Sequence, residues 1–231
     1  MVRYMVIAVI MAAGSGSRVG AEIPKQYLEI GGIIMLRRAA DAFLRCSQVD
    51  CIIVLCPFEW LAKTRDIFAD TPSVKILSGG NTRTHTLDIA VEYWRENFGG
   101  VEDILLTHDS ARPFVSERII CDNITAARKY GVCGTFLTCA DSLVHSENGF
   151  ITQAISRDGV YLAQTPQSFR AAELAETLNS LTKAQKNTLT DACGAFSMLG
   201  KPVAIVEGES INFKITTQND VELARIIAKN M

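Results

Sequence analysis

The chain has 231 residues, of which 48% are hydrophobic and 21% charged, and its formal net charge is −2 at pH 7. This length and balance predict one α/β domain with a sizeable core, or such a domain with a small appendage. They exclude a membrane span, because no apolar run approaches the ~20 residues that cross a bilayer, and the net charge gives no support to binding of nucleic acid or an anionic surface.

The first predicted element is an apolar run from Val6 to Met11, which leads into Ala-Ala-Gly-Ser-Gly-Ser-Arg at 12–18 and Pro-Lys-Gln at 24–26. Such a run predicts a buried parallel strand that delivers a tight loop at its carboxyl end. Glycines let backbone N–H groups approach an anion closely, while Ser17, Arg18 and Lys25 add hydroxyl and cationic donors. The loop is therefore predicted to bind phosphate.

Other interpretations of this stretch have less support. A simple turn needs no ligand, and a P-loop is absent because the second glycine is followed by Ser17-Arg18. The spacing Gly-x-Gly-x-x-x-Gly is one residue too long for the dinucleotide fingerprint, so an NAD-dependent oxidoreductase lacks its main motif. A secretory signal is disfavoured because only Arg3 precedes the run, and we expect a cytoplasmic protein.

Strand-like and helical patterns then alternate along the chain. Helical spacing of apolar residues occurs at 33–44, 58–69, 82–95, 116–129, 170–181, 191–199 and 218–229. Runs typical of strands occur at 51–56, 74–77, 103–107, 131–138 and 202–206. Repeated βα units imply a mostly parallel sheet with right-handed crossovers, whose ligands bind beyond the carboxyl ends of the strands.

One segment breaks this alternation. Two short alternating runs at 142–145 and 150–155 are separated by Ser-Glu-Asn-Gly at 146–149. Asn-Gly between such runs is the strongest short-range hairpin signal. The segment is predicted to be an arm that docks on a second copy of the chain.

Seven cysteines and three histidines are scattered through the sequence. The odd cysteine count, the lack of a Cys-x-x-Cys pair and the apolar neighbours of most cysteines predict buried, reduced thiols in a cytoplasmic protein. The same spacings argue against a zinc site or a Cys–His catalytic pair.

Polar motifs follow several strand-like runs, so they are expected to converge at one edge of the sheet. Asp109 emerges from such a run beside Arg112, and it is either a turn or cap residue or a ligand for Mg²⁺ bridging nucleotide phosphates. An ordinary structural role and a site role are likewise both open for four more residues, Arg157, Thr165, Thr190 and Lys214. Residue patterns alone predict an anion-binding α/β enzyme.

Further motifs occur in order along almost the whole chain. In addition to the 12–18 loop they are Pro24-Lys25-Gln26-Tyr27, Gly79-Gly80-Asn81-Thr82-Arg83, His108-Asp109-Ser110-Ala111-Arg112-Pro113, Gln164-Thr165-Pro166-Gln167, Thr190-Asp191 and Asn212-Phe213-Lys214-Ile215-Thr216. Together they resemble the motifs of the cytidylyltransferases that act on alditol phosphates, namely the 2-C-methyl-D-erythritol 4-phosphate enzymes and the ribitol 5-phosphate enzymes.

The resemblance implies a Rossmann-like three-layer α/β nucleotidyltransferase fold, in a single domain over residues 1–231 with a dimerisation β-arm at about 139–157. It implies that an alditol phosphate attacks the α-phosphorus of Mg²⁺-bound CTP in line and releases pyrophosphate. Because the nucleophile is already an anion, catalysis would rest on positioning and charge neutralisation. The implied assembly is a homodimer in which the partner's arm completes each site.

The resemblance also implies roles for the residues at matching positions. Those implied to be catalytic are Arg18, Lys25 and Lys214, and the implied metal-associated carboxylate is Asp109. Those implied to hold CTP are Ala12, Ala13, Gly14, Ser15, Gly16, Ser17, Gly80, Asn81, Arg83 and Thr86. Those implied to hold the alditol phosphate are Asp109, Arg112, Ser142, Arg157, Thr165, Thr190 and Lys214. Four positions depart from common family residues: Asn81, Thr86, Ser142 and Phe213.

Segments of the sequence resemble both groups of enzymes, which differ in the acceptor that they use. The segments 107–110, 112–114 and 181–193 resemble the ribitol 5-phosphate enzymes, whereas 12–14, 110–113 and 161–164 resemble the methylerythritol enzymes. We predict ribitol 5-phosphate, with 2-C-methyl-D-erythritol 4-phosphate as the alternative. Alternatives of another class are the NAD-dependent oxidoreductase and a nucleotide-binding module without turnover.

Overall fold

The computed structural model describes residues 4–14 and 23–231. The strands in these residues are β1 (Val6–Met11), β2 (Glu29–Ile30), β3 (Ile33–Ile34), β4 (Cys51–Cys56), β5 (Val74–Ser78), β6 (Ile104–Asp109), β7 (Val132–Thr138), β8 (Leu143–Glu147), β9 (Phe150–Ile155), β10 (Tyr161–Arg170) and β11 (Ala204–Glu207). The α-helices are α1 (Met35–Arg45), α2 (Leu61–Ile67), α3 (Arg83–Asn97), α4 (Glu117–Tyr130), α5 (Ala171–Ser180), α6 (Lys183–Thr188), α7 (Ala192–Met198) and α8 (Gln218–Lys229). None of the helices in the described part of the chain is long and apolar enough to cross a membrane.

Seven strands form one sheet in the order β11-β7-β10-β6-β1-β4-β5. β1 lies between β6 and β4 and pairs with both in parallel, while β10 runs antiparallel to β6 and β7. The mostly parallel sheet predicted from the βα alternation is confirmed. Because β1, β4, β5 and β6 run in the same direction, the segments that follow them emerge at one edge of the sheet.

Helices cover both faces of the sheet and make it the middle of three layers. Ala8 and Ile10 of β1 face a core that includes side chains of α1 and α4, whereas Ile7 and Val9 face a core that includes α3, α5 and α7. These four side chains are fully buried. Burial of an apolar side chain of the size of valine or isoleucine contributes roughly 1.5–3 kcal/mol, so the apolar run of β1 anchors the centre of the fold.

The predicted hairpin is confirmed as a two-stranded sheet of β8 and β9, separate from the main sheet. Asn148 and Gly149 form its turn with φ angles of 53° and 84°. A two-residue turn with both φ angles positive is of the type that matches the twist of a hairpin. All six residues of β9 are exposed, so the hairpin projects from the body of the chain.

Three segments differ from the sequence prediction. The helix expected from residue 33 begins at Met35, because Ile33 and Ile34 pair with β2 after a turn that contains two glycines of positive φ. Gln164 to Gln167, over which no strand was predicted, lie inside the ten-residue strand β10. No helix was predicted over 183–188, where α6 lies, although the capping box of Thr182 and Gln185 marks a helix start.

Candidate active site

A cleft of about 690 Å³ opens at the carboxyl ends of β1, β4, β5 and β6. This is the edge at which the polar motifs were predicted to converge. Ten residues assigned to the site from the sequence line it: Ala12, Ala13, Gly14, Lys25, Gly80, Asn81, Arg83, Thr86, Asp109 and Lys214. Cleft residues to which no role was assigned include Phe58 and Glu59, which follow the carboxyl end of β4.

Asp109, the last residue of β6, is 6% exposed and lies between two cations. Its Oδ1 accepts a hydrogen bond from Arg83 Nη1 at 2.6 Å, and its Oδ2 accepts one from Lys214 Nζ at 2.7 Å. Burial alone would raise the pKa of Asp109, but Arg83 and Lys214 outweigh it and hold that pKa well below its usual range. The carboxylate is therefore ionised at neutral pH and fixes the lysine beside the cleft.

Lys25 and Gln26 form hydrogen bonds from the cleft to segments that are distant in the sequence. Lys25 Nζ donates a hydrogen bond of 2.8 Å to the Ile215 carbonyl. The Gln26 amide, which is buried, donates to the carbonyls of Ala12 and Gly14 at 2.7 and 3.0 Å. Gln26 therefore fixes the backbone as it leaves β1, a role that sequence reasoning missed although the residue is next to Lys25 in a noted motif.

The turn after β5 requires glycine for close approach. A Cβ on Gly79 would overlap the Cβ of Ala13, and one on Gly80 would overlap the ring of His85. The Thr86 hydroxyl accepts a hydrogen bond from the Gly80 N–H at 3.1 Å and donates to the Thr82 carbonyl at 2.9 Å. This turn therefore lies directly against the segment that follows β1.

A buried network beneath the cleft connects His108, Thr165 and Arg112. His108 Nε2 lies 3.0 Å from the Arg112 carbonyl, which can only accept, so Nε2 carries the proton of the neutral ring. The Thr165 hydroxyl therefore donates to His108 Nδ1 at 2.9 Å and accepts the Asp109 N–H at 3.1 Å. The network therefore fixes the backbone of Asp109.

We expect His108 to make folding stability sensitive to mild acid. Burial lowers the pKa of His108 to about 4, below the value of about 6.5 for an unfolded histidine. Between these values the unfolded chain binds a proton that the folded chain does not, so the free energy of unfolding falls as pH falls, by about 1.4 kcal/mol per pH unit. Urea titrations at pH 6 and pH 5 measure this slope. His108→Gln should reduce this dependence of stability on pH, whereas His145→Gln, on the exposed hairpin, should not. Equal slopes in the unmodified protein and both variants would show that His108 is not the group responsible.

Several residues assigned to the site lie outside the cleft lining of the single chain. The Arg112 guanidinium, 8% exposed, donates to the carbonyls of Asn212 and Ala163. Arg157 is exposed at the base of the hairpin and donates to the Ala140 carbonyl. The others outside the lining are Ser142 and Thr190, both exposed, and Thr165, which is buried. The predicted loop residues Ser15, Gly16, Ser17 and Arg18 lie outside the described residues.

The cleft offers few protein ligands for a divalent cation. Asp109 and Glu59 are the carboxylates that line it in the described residues. Mg²⁺ is usually held by one or two carboxylates together with substrate phosphates and water. Both oxygens of Asp109 accept a hydrogen bond, and each retains a further lone pair. The donor set therefore fits Mg²⁺ that is coordinated largely by a bound triphosphate.

Comparisons with known proteins agree on one class of enzyme. A family described as 2-C-methyl-D-erythritol 4-phosphate cytidylyltransferase (IspD) matches residues 6–230. A protein of Lactiplantibacillus plantarum named ribitol-5-phosphate cytidylyltransferase is 35% identical over 97% of this chain and 99% of its own length.

Solved structures give the same class. The 4-diphosphocytidyl-2C-methyl-D-erythritol synthase of Anaerococcus prevotii is 27% identical, with a TM-score of 0.84 over 98% of this chain and 96% of that one. The 2-C-methyl-D-erythritol 4-phosphate cytidylyltransferase of Francisella tularensis is 26% identical, with a TM-score of 0.81 over 96% of this chain and 99% of that one. These likenesses confirm the nucleotidyltransferase-like α/β fold.

Proposed function

Because the chain belongs to the 2-C-methyl-D-erythritol 4-phosphate cytidylyltransferase (IspD) family, we propose that this CTP-dependent cytidylyltransferase transfers CMP to ribitol 5-phosphate and forms CDP-ribitol. The observation that carries the chemistry is the cleft, in which Lys25, Lys214 and Arg83 face a single edge of the sheet beside the segment that follows β1. Three cations at one edge suit a triphosphate and an attacking phosphate.

In the proposed reaction, a phosphate oxygen of the acceptor attacks the α-phosphorus of CTP. A new P–O bond forms to this oxygen, and the bond from the α-phosphorus to the bridging oxygen of the β-phosphate breaks, so that pyrophosphate leaves. Lys25 and Lys214 neutralise the charge that gathers on the equatorial oxygens, and Asp109 holds Lys214 in position. Mg²⁺, when bound by Asp109 and the phosphates of CTP, supplies further charge neutralisation.

The choice of ribitol 5-phosphate rests on the degree of similarity. The relative named for that acceptor is 35% identical to this chain, whereas the two solved methylerythritol enzymes described above are 27% and 26% identical. The second candidate acceptor is 2-C-methyl-D-erythritol 4-phosphate, which is favoured by the description of the matching family. Both are short polyols that carry one phosphate, so a few hydroxyl contacts must separate them.

We also propose that the chain is a homodimer in which the hairpin of one subunit completes the site of the other. Phe150 is 75% exposed and Ile151 is 71% exposed. Large apolar side chains that are exposed together mark an interaction surface. Arg157 at the base of the hairpin is a cation outside the cleft of its own chain, and it would serve the acceptor phosphate of the neighbouring site.

Arg157→Ala is expected to raise the KM for the alditol phosphate about 10–100-fold while leaving the KM for CTP unchanged, because a hydrogen bond to a charged group contributes about 1.5–3 kcal/mol. Steady-state kinetics with each substrate varied in turn measure this. Arg95→Ala is the matched control, since Arg95 is an exposed arginine paired with Glu92. An unchanged acceptor KM would refute the role of Arg157.

Mixing variants tests whether the arm acts across the dimer. In a hybrid of one Lys25→Ala subunit and one Arg157→Ala subunit, one of the two sites would receive both an intact cleft and an intact arm. Activity that reappears when the two weak variants are mixed and exchanged would support sharing. Activity equal to the mean of the separate variants would contradict it.

Product analysis tests the reaction itself. Incubation with CTP, Mg²⁺ and ribitol 5-phosphate is expected to yield equal amounts of pyrophosphate and CDP-ribitol, the latter identified by mass spectrometry. Replacing CTP with UTP, ATP or GTP should abolish most of the product. Binding of CTP without pyrophosphate release, with either candidate acceptor, would leave a nucleotide-binding module and refute the proposed acceptors.

A further inference from the structure

Two cysteines that are distant in the sequence meet outside the cleft. Cys46 directly follows α1, and Cys121 lies in the first half of α4. Their sulfur atoms are 3.8 Å apart. Glu117 is one turn before Cys121 on α4, so both side chains lie on the same face of that helix. In the described residues, this is the cluster whose three ligand atoms all lie within 4.8 Å of one another.

We propose that Cys46, Cys121 and Glu117 form a binding site for a thiophilic divalent metal ion of the zinc class. Two thiolates and one carboxylate are a donor set that zinc accepts, with water in the fourth position. The spacing of the sulfur atoms carries the argument. Two sulfur atoms bound to a tetrahedral zinc ion at about 2.3 Å are about 3.8 Å apart, which matches the separation of Cys46 and Cys121.

The burial of the three residues suits a site that is held by the core and entered from solvent. Cys46 is 1% exposed, Cys121 is half-buried, and Glu117 is exposed. An ion can therefore reach the sulfurs from the side of α4, where a carboxylate oxygen of Glu117 lies within 4.8 Å of both sulfur atoms. Cys133 and Cys193 are not proposed as a metal site. Both thiols are buried, and in the described residues neither belongs to a cluster with a third ligand.

Metal binding at this site would join the end of α1 to α4. None of the three residues lines the cleft in the described part of the chain, so the ion is expected to stabilise the fold and to take no part in cytidylyl transfer. Both thiols must lose a proton on binding. The affinity for metal should therefore increase with pH.

Cobalt is a spectroscopic probe for this site. Titration of the reduced full-length protein with Co²⁺ is expected to give one equivalent bound per chain, with the sulfur-to-cobalt charge-transfer absorption of a thiolate complex. Zn²⁺ should displace the cobalt and raise the midpoint of thermal unfolding. Cys121→Ser should remove most of the absorption, and Glu117→Gln should weaken binding about tenfold or more. Both changes are on the accessible side of the site, so the fold should persist, which circular dichroism checks.

Cys139→Ser is the matched control, because Cys139 is partly exposed and lies outside the cluster. It should bind cobalt as the unmodified protein does. Absence of the charge-transfer band in the unmodified protein, or a band that Cys121→Ser leaves intact, would overturn the proposal. A further result would also overturn the proposal: the reduced protein binds no cobalt, and mild oxidation joins Cys46 to Cys121. The two thiols would then be a redox pair.

Discussion

Lys25→Ala is expected to lower kcat about 10²–10³-fold while the chain remains folded, which is the usual cost of removing one donor that stabilises charge in a transition state. Lys25 lines the cleft and holds the Ile215 carbonyl beside it. Its ammonium group is therefore held at the backbone of the residue that follows Lys214 in the sequence. Steady-state assays of pyrophosphate release measure kcat, and thermal unfolding shows whether the variant is folded.

Lys75→Ala is the matched control for this change. Lys75 is an exposed lysine of β5 that contacts the Pro72 carbonyl outside the cleft. It should retain nearly full turnover. If Lys25→Ala also retained near-normal turnover, the account of the cleft as a phosphate site would be wrong.

Asp109→Asn is expected to reduce both turnover and stability. The amide cannot neutralise Arg83 and Lys214, which now face each other across a buried position, and it is a poor ligand for Mg²⁺. Because both cations are 28–35% exposed, solvent screens part of their repulsion. We therefore expect a loss of about 1–3 kcal/mol in the free energy of unfolding, and a fall of at least about 100-fold in kcat/KM.

Urea unfolding at pH 7 and kinetics at varied Mg²⁺ measure these effects. Asp88→Asn is the control, because Asp88 forms an ion pair with Lys186 at 3.1 Å but is 38% exposed. It should change stability by less than about 1 kcal/mol. Since the pKa of Asp109 is depressed, its contribution to stability is present above about pH 4 and is lost only as pH falls further. A variant as stable as the unmodified protein at pH 7 would show that the ion pairs have little effect.

Local patterns were sufficient to predict most elements and the edge at which the site forms. The apolar run of β1 is hydrophobic enough to be buried on both faces, and Asn148-Gly149 has the backbone freedom that a hairpin turn requires. The rule that ligands bind beyond the carboxyl ends of parallel strands then placed the Gly14 and Asp109 segments together without knowledge of their contacts.

Contacts between distant segments could not be predicted in this way. No strand was predicted over β10, but its residue Gln167 is completely buried and accepts the Ala192 and Cys193 N–H groups. The pairing of Asp109 with Lys214, and the proximity of Cys46 and Cys121, likewise arise only when helices and loops pack on the sheet. Sequence spacing contains no signal for such pairs.

The most direct test of the account is the ratio of kcat/KM for ribitol 5-phosphate to that for 2-C-methyl-D-erythritol 4-phosphate, measured by pyrophosphate release at saturating CTP and Mg²⁺. We expect ribitol 5-phosphate to be preferred by at least about 100-fold, because hydroxyl groups that are matched in one acceptor are left unpaired with the other. Preference for the methylerythritol phosphate would contradict the proposed acceptor while leaving cytidylyl transfer in place.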